Sequence, residues 1–312
     1  VAAAPTPRVG LLAGGTGGAK LGAGMQELAG EALTVIANSA DDTEVHGLLV
    51  CPDPDLCTYW LAGQVDEDRG WGIKDDTFTV HERLVELGAP AWFGLSDRDL
   101  AACLYRTHFL AEGGTLAGAQ AQIARSLGVA ATVLPMCEAP VRTRVITPAG
   151  PRTLQEFLIL DEGAAPIEGV EVDGLAAAAA TPAALEAIAA ASVIVIGPSN
   201  PVISIGPILA VPGMREAIAA ARAPVVAVSP FVAGRAIKGP TEAFMHAIGR
   251  PVSAAGVASL YQGLLDGMVV DEGDPDPPPS DPPALVCQTL MEGPPGRRAL
   301  AQHVLEFANT LR

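Results

Sequence analysis

The stretch Ala13-Gly14-Gly15-Thr16-Gly17-Gly18-Ala19-Lys20 sets glycines, a hydroxyl and an amine between an apolar run, Val9–Leu12, and a helix-patterned segment. Glycine permits a tight turn and close ligand approach, and the unpaired amides of a helix N-terminus supply donors and positive potential for an anion. Gly14, Gly15, Thr16, Gly17, Gly18 and Lys20 are therefore candidate phosphate-binding residues, the alternative being a strand-to-helix turn without a ligand. The stretch is not a P-loop, because Leu21 rather than Ser or Thr follows Lys20. It is also a poor dinucleotide fingerprint, since counting from Gly15 places Lys20 at the third glycine.

A second polar run, Asn38-Ser39-Ala40-Asp41-Asp42-Thr43-Glu44, follows the apolar Leu33–Ala37. In a parallel sheet such a run lies at the ligand-bearing carboxyl edge. Asp41 and Asp42 suit Mg²⁺ held between protein and a diphosphate, with helix capping as the alternative. Farther on, Cys51-Pro52-Asp53-Pro54-Asp55 adds two carboxylates before a helical LCTYWLAG, and one of them is expected to face the same cleft. A third loop, starting Gly197-Pro198-Ser199-Asn200-Pro201, offers small polar groups in a rigid turn, as a nucleotide or plain turn chemistry would require. Ser229-Pro230-Phe231-Val232-Ala233-Gly234-Arg235 again follows an apolar strand. The histidines at 46, 81, 108, 246 and 303 have no ligand spacing, and Trp92-Phe93 suits either ring stacking or core packing.

The elements that must position these loops alternate. Val9–Leu12, Leu33–Ala37, Ser192–Ile196, Val225–Val228 and Met268–Val270 read as buried strands. Asp97–Ala111, Leu116–Leu127, Pro182–Ala191, Met214–Ala221 and Thr241–Ile248 read as helices, with Ser96 and Thr181 as N-caps and Gly128 and Gly249 as stops. The pattern predicts an α/β fold, Rossmann-like and doubly wound, with a mostly parallel sheet. Val141–Thr147 and Thr153–Leu160 have the spacing of a β-hairpin, so a small antiparallel insertion is expected over 140–162. Residues 274–283 are a proline-rich loop before a last strand and a C-terminal helix, and residues 1–7 read as a tail.

One α/β domain over 1–312 is the default for this length. A net charge of −16 argues against a nucleic-acid surface, which would be basic. Five cysteines without CxxC or Cys/His spacing indicate neither zinc site nor disulfide scaffold and fit a reducing cytoplasm. The opening VAAAPTPR does not read as a signal peptide, and the apolar stretch from Gly174 to Gly197 is interrupted by Pro182 and Glu186, so no membrane span is expected.

Taken together, GGTGGAK, NSADD, CPDPD, GWGIKDDTF, FGLSDRD, IGPSNPVISIGPIL and SPFVAGRAIKGP resemble, in order and spacing along nearly the whole chain, the 2-phospho-L-lactate transferase / phosphoenolpyruvate transferase family. SNPxxSIGP is the most specific piece. The resemblance implies a Rossmann-like fold, a Mg²⁺ requirement, a homodimer, and a role in coenzyme F-420 biosynthesis. The implied reaction moves a phospholactyl or phosphoenolpyruvyl group from a guanosine-diphosphate carrier to the deazaflavin alcohol FO, releasing GMP. By the same resemblance Asp55 contacts FO, Ser199, Asn200 and Pro201 form the guanine-nucleotide side, and Asp41 and Asp42 lie near the metal. Lys20 and the loop amides would hold phosphate oxygens, Asp42 or Asp41 would serve charge neutralisation, and Asp55 would orient the hydroxyl or accept its proton.

The sequence departs from the family at two positions. Gly94 stands where some members have a basic residue beside FO, a contact for backbone or for Arg98, and Glu44 stands where members often carry tryptophan. The competing readings are a nicotinamide-dependent oxidoreductase, which lacks its third glycine, and a nucleotide-sugar-binding regulator of the gluconeogenesis-factor type. The latter tends to have a glycine- and serine-rich run after the acidic pair, where this chain has Thr43-Glu44-Val45-His46-Gly47.

Overall fold

Apolar residues on alternate sides of short strands build one central sheet, described here from a computed structural model covering residues 6–311. Residues 1–5 of the expected tail lie outside the described residues. The sheet strands are β1 (Val9–Ala13), β2 (Leu33–Ala37), β3 (Thr132–Pro135), β4 (Val193–Ile196), β5 (Val225–Val228), β6 (Gly267–Asp271) and β7 (Ala284–Cys287). Their spatial order is β7-β6-β5-β4-β1-β2-β3, and every pairing is parallel. This is the Rossmann order with a strand added at one edge. The expected mixed-α/β fold is therefore found, with a central sheet that is parallel throughout.

Every residue of β1, β4, β5 and β6 is buried, as a sheet covered on both faces demands. The side-chain period of two divides the core accordingly. Leu12, Ile36, Ile194, Ile196 and Met268 point to one apolar cluster, whereas Leu11, Val35, Val195, Val226 and Val269 point to the other. The second cluster is closed by Leu21 and Met25 of α1 (Gly15–Ala29), Tyr59 and Trp60 of α2 (Pro52–Leu61), and Leu300 and Val304 of a C-terminal helix.

Other expected elements shift by a residue or two, and four differences go further. The insertion is a three-stranded antiparallel sheet of Arg142–Thr147, Gly150–Thr153 and Gly169–Asp173, so it runs past 162. Its second arm ends early: Leu154–Ile159 is a helix, because Thr153 and Glu156 form a capping box in place of a strand. Strand β3 was not expected, being four residues long and ending in proline, which only an edge strand tolerates. At the start of α3 (Asp97–Ala111), Ser96 occupies the N-cap position, its carbonyl accepting from the Leu100 amide at 2.7 Å, but its hydroxyl makes no cap bond. The carboxylate of Asp76 takes the Arg98 and Asp99 amides instead. Thr181 caps as expected, accepting from the Ala184 amide at 3.1 Å.

Candidate functional site

The order of strands reverses between β1 and β4, and the loops leaving their carboxyl ends part there to form a crevice. A cleft of about 390 Å³ lies at this point. Of the residues singled out in the sequence, Gly14, Gly15, Thr16, Gly17, Lys20, Asp41, Ser199 and Asn200 line it. Gly18, Asp42, Asp55, Gly94, Arg98 and Pro201 are not part of its lining. Asp53 is, as expected of one of the two Pro52–Asp55 carboxylates, and so is Ser229 of the fourth loop; Trp60, Glu67, Ser204 and Lys238 also line the cleft, though the sequence assigned them no role.

The glycine turn is pinned from two sides. Gly14 donates its amide to Ser199 Oγ at 3.2 Å, and Gly15 donates to Asp53 Oδ1 at 2.6 Å. The first bond ties the β1 loop to the β4 loop, and the second sets a protein carboxylate at the positive end of α1. Gly17 allows the two loops to touch, because a Cβ there would collide with the Pro198 carbonyl oxygen. Asn200 serves the following turn: its Oδ1 accepts from the Val202 and Ile203 amides at 2.9 and 3.2 Å, and its Nδ2 donates to Thr241. Pro201 is buried in that π-helical turn.

The cleft's acidic side is Asp41 with Asp53. Asp53 Oδ2 accepts from Asn38 Nδ2 at 2.9 Å, so both of its oxygens are engaged. Asp41 is buried, and its Oδ1 has no partner. Burial, followed by the charge of Asp53, pushes the Asp41 carboxyl well above the usual range, and burial raises Asp53 as well. Two desolvated carboxyls with an unpartnered oxygen are a donor set that fits a hard divalent cation, whose charge would relieve both burial and repulsion.

Asp42 and Asp55 lead into a separate buried network. Asp42 accepts from Cys51 Sγ at 3.1 Å, and burial raises its carboxyl to about 7 despite Arg142. Asp55 is paired with Arg106, which is wholly buried and also reaches Gln120 Oε1 at 3.3 Å and the Leu49 carbonyl at 3.2 Å. Asp55, Asp99 and Cys103 lie within 4.8 Å of one another, a spacing open to a metal, but the Arg106 guanidinium already neutralises Asp55. The alternation Pro52-Asp53-Pro54-Asp55 thus sends one carboxylate to the cleft and one into the core beneath it.

Gly94 is half-buried, with only Phe78 near the position of a Cβ. Arg98 is exposed and committed to the Lys74 carbonyl and, at 3.4 Å, to Asp76. Glu44 is exposed on a small hairpin, Thr43–Val45 with Leu48–Val50, whose turn holds His46. Trp92 and Phe93 meet edge-to-face at 5.4 Å in a small core with Leu95, Leu100 and Cys103.

The cationic side consists of Lys20, 5.3 Å from the centre of the Trp60 ring, and Lys238. Arg297 stacks on the same ring at 4.9 Å and pairs with Glu67 at 3.1 Å. Acid on one side and two amines without carboxylate partners on the other suit the cleft to a phosphorylated ligand.

A family model described as 2-phospho-L-lactate transferase CofD matches residues 9–282. The chain belongs to the CofD family of transferases. A 2-phospho-L-lactate transferase of Methanosarcina mazei is 41% identical over 265 residues, covering 85% of this chain and 87% of its own length. A phosphoenolpyruvate transferase of Streptomyces griseus is 38% identical over 316 residues, covering 98% and 99%, and one of Streptomyces coelicolor is 42% identical over 276 residues, covering 86% of each. Among solved structures, a Bacillus halodurans protein of the UPF0052 family superposes with a TM-score of 0.64 at 19% identity, covering 96% of this chain and all of that one. That likeness concerns the fold alone. The CofD chain is thus a transferase, and among its described residues no helix is long and apolar enough to cross a membrane.

Proposed function

We propose that this CofD-family transferase takes a phospholactyl or phosphoenolpyruvyl group from a guanosine-diphosphate carrier and passes it to FO, releasing GMP, as a step of coenzyme F-420 biosynthesis. The observation that carries this reading is the cleft at the β1/β4 reversal, where two carboxyls, Asp41 and Asp53, share one site with the amines of Lys20 and Lys238, neither of which has a carboxylate partner among the described residues. A diphosphate diester with a divalent ion matches both halves. The ribityl hydroxyl oxygen attacks the β-phosphorus, the bond from that phosphorus to the bridging oxygen breaks, and GMP leaves.

Mg²⁺, which Asp41 and Asp53 would hold, supplies neutralisation of the charge on the transferring group. Lys20 and the amides of Thr16 and Gly17 hold phosphate oxygens and keep them in line. Asn38 and the Gly15 amide fix the Asp53 carboxylate before substrate arrives, so no reorganisation is needed during reaction. Asp41 Oδ1, free of protein partners, is left to the cation, and the hydroxyl proton passes to the GMP oxygen freed by the bond cleavage. Asp55 acts from below: its pairing with Arg106 holds α2, and with it Asp53, against the cleft. The same reading carries a cytoplasmic homodimer, which size-exclusion chromatography tests.

Incubation with Mg²⁺, FO and lactyl-, enolpyruvyl- or glyceryl-diphosphoguanosine, followed by mass spectrometry, tests the proposal. Stoichiometric GMP and FO phosphodiester from one donor identify the substrate. Failure to bind FO or any donor would sink the assignment.

A further inference from the structure

Lys238 stands on the connection between a two-residue hairpin, Phe231–Val232 with Arg235–Ala236, and the helix Thr241–Ala247, far in sequence from the glycine turn. It nevertheless lines the same cleft as Lys20. Its Nζ donates to the Arg69 carbonyl at 3.1 Å and passes directly over Gly70, where any Cβ would collide with the amine. The carbonyl it meets belongs to a braced turn: Arg69 pairs with Asp66 at 3.0 Å and stacks 5.1 Å from Trp71 and 5.2 Å from Phe78. Lys238 therefore joins two segments across the cleft through a single, neutral hydrogen-bond acceptor.

Neither Lys20 nor Lys238 has a carboxylate partner among the described residues. The nearby acid Glu67 is taken by Arg297. Partial burial, and then repulsion from Lys20, lowers the Lys238 amine below the usual lysine range. Two ammonium groups that repel each other in an acidic protein call for a shared anion. Building on the reading of this cleft as the donor site, we propose that Lys238 is a second phosphate-gripping residue, which leaves the Arg69 carbonyl to hold the donor's diphosphate jointly with Lys20. The hairpin then works as a strap: the ligand replaces a neutral carbonyl acceptor with an anionic phosphate oxygen, which adds an ion pair to the hydrogen bond.

The chain has only three lysines, at 20, 74 and 238, and Lys74 is exposed outside the cleft lining. Calorimetric titration of the full chain with Mg²⁺-pyrophosphate and Mg²⁺-GDP, for the wild type and for Lys238→Met, Lys238→Arg and Lys74→Met, tests the proposal. Lys238→Met should weaken both ligands by about tenfold, equally for each because the amine meets phosphate rather than guanosine. Lys238→Arg should restore most of the affinity, and Lys74→Met should change neither. Lysine acylation mapped by mass spectrometry gives a second readout: GDP should protect Lys238 and Lys20 but not Lys74. Unchanged affinity in Lys238→Met overturns the proposal while leaving the donor site standing. A wild type that binds neither pyrophosphate nor GDP overturns both.

Discussion

Four aspartates close together in the sequence carry three different duties, and burial and partners separate them. Asp53, with both oxygens held, and Asp41, with one oxygen free, face the cleft. Replacing Asp53 by Asn keeps the shape but removes half of the charge offered to a cation, so transfer activity should fall by roughly two orders of magnitude or more. Initial rates against Mg²⁺ concentration check this, and an unchanged Mg²⁺ dependence would exclude Asp53 from the site. Asp42 makes a different prediction. Its carboxyl rises from the ordinary 3.8 to about 7 on folding, because burial penalises the charged form. The folded state then holds a proton that the unfolded chain has released, so this contribution is present below about 3.8 and is lost as pH climbs to about 7. The wild type should therefore lose stability relative to Asp42→Asn across that window, with a level difference above it. Thermal melts at half-unit pH steps would show a flat difference if Asp42 ionised normally.

At the scale of elements, the site depends on how α1 and α2 are seated. Gly17 lets α1 approach the Pro198 carbonyl, and Gly17→Ala should push the β1 and β4 loops apart and abolish donor binding while leaving the circular-dichroism spectrum intact. Beneath α2, Arg106→Met leaves the buried Asp55 carboxylate unpaired, at a cost of about 3–5 kcal/mol in urea unfolding. A cost under about 1 kcal/mol, the range of exposed pairs, would show that Asp55 is not desolvated. Much of this layer was legible. The glycine turn, the Asp97–Ala111 helix and five sheet strands follow from apolar period and punctuation, which local residues determine. Which carboxylate of Pro52-Asp53-Pro54-Asp55 meets the cleft was not, because two residues along a helix turn by about 200° and the choice rests on where α2 packs. The expected hairpin arm that is the Leu154–Ile159 helix carries a readable Thr153-x-x-Glu156 capping signal, whereas the hairpin expectation rests on the spacing of the two segments. Lys238 lies in the SPFVAGRAIKGP motif, but its place beside Lys20 comes only through tertiary folding, so the motif alone does not show its role.

For the molecule as a whole, the site gathers loops from the first strand to the last: Gly14–Lys20, Asp41, Asp53, Pro198–Ser204, Ser229–Thr241 and Thr289–Met291 all border one cleft. The family model stops at residue 282, short of β7 and of α4 (Gly293–Thr310), while the match to the Streptomyces griseus relative spans 98% of the chain. The physics sides with the longer unit. Leu300, Ala301, Val304 and Ala308 of α4 are buried in the same cluster as Leu21 and Met25 of α1, and Gly24 lies against the Arg297 backbone so closely that a Cβ would collide with it. Arg297 also stacks on Trp60 at the cleft wall. Removing residues 284–312 would strip one face of α1 and uncover the edge of β6, each buried side chain costing about 1.5–3 kcal/mol of burial, against a whole-domain stability of about 5–15 kcal/mol. The truncated chain should therefore lose cooperative thermal unfolding and precipitate. If it instead melted in one sharp transition and still bound pyrophosphate, the C-terminal helix would be an accessory, and α1 would be held by the sheet and α2 alone.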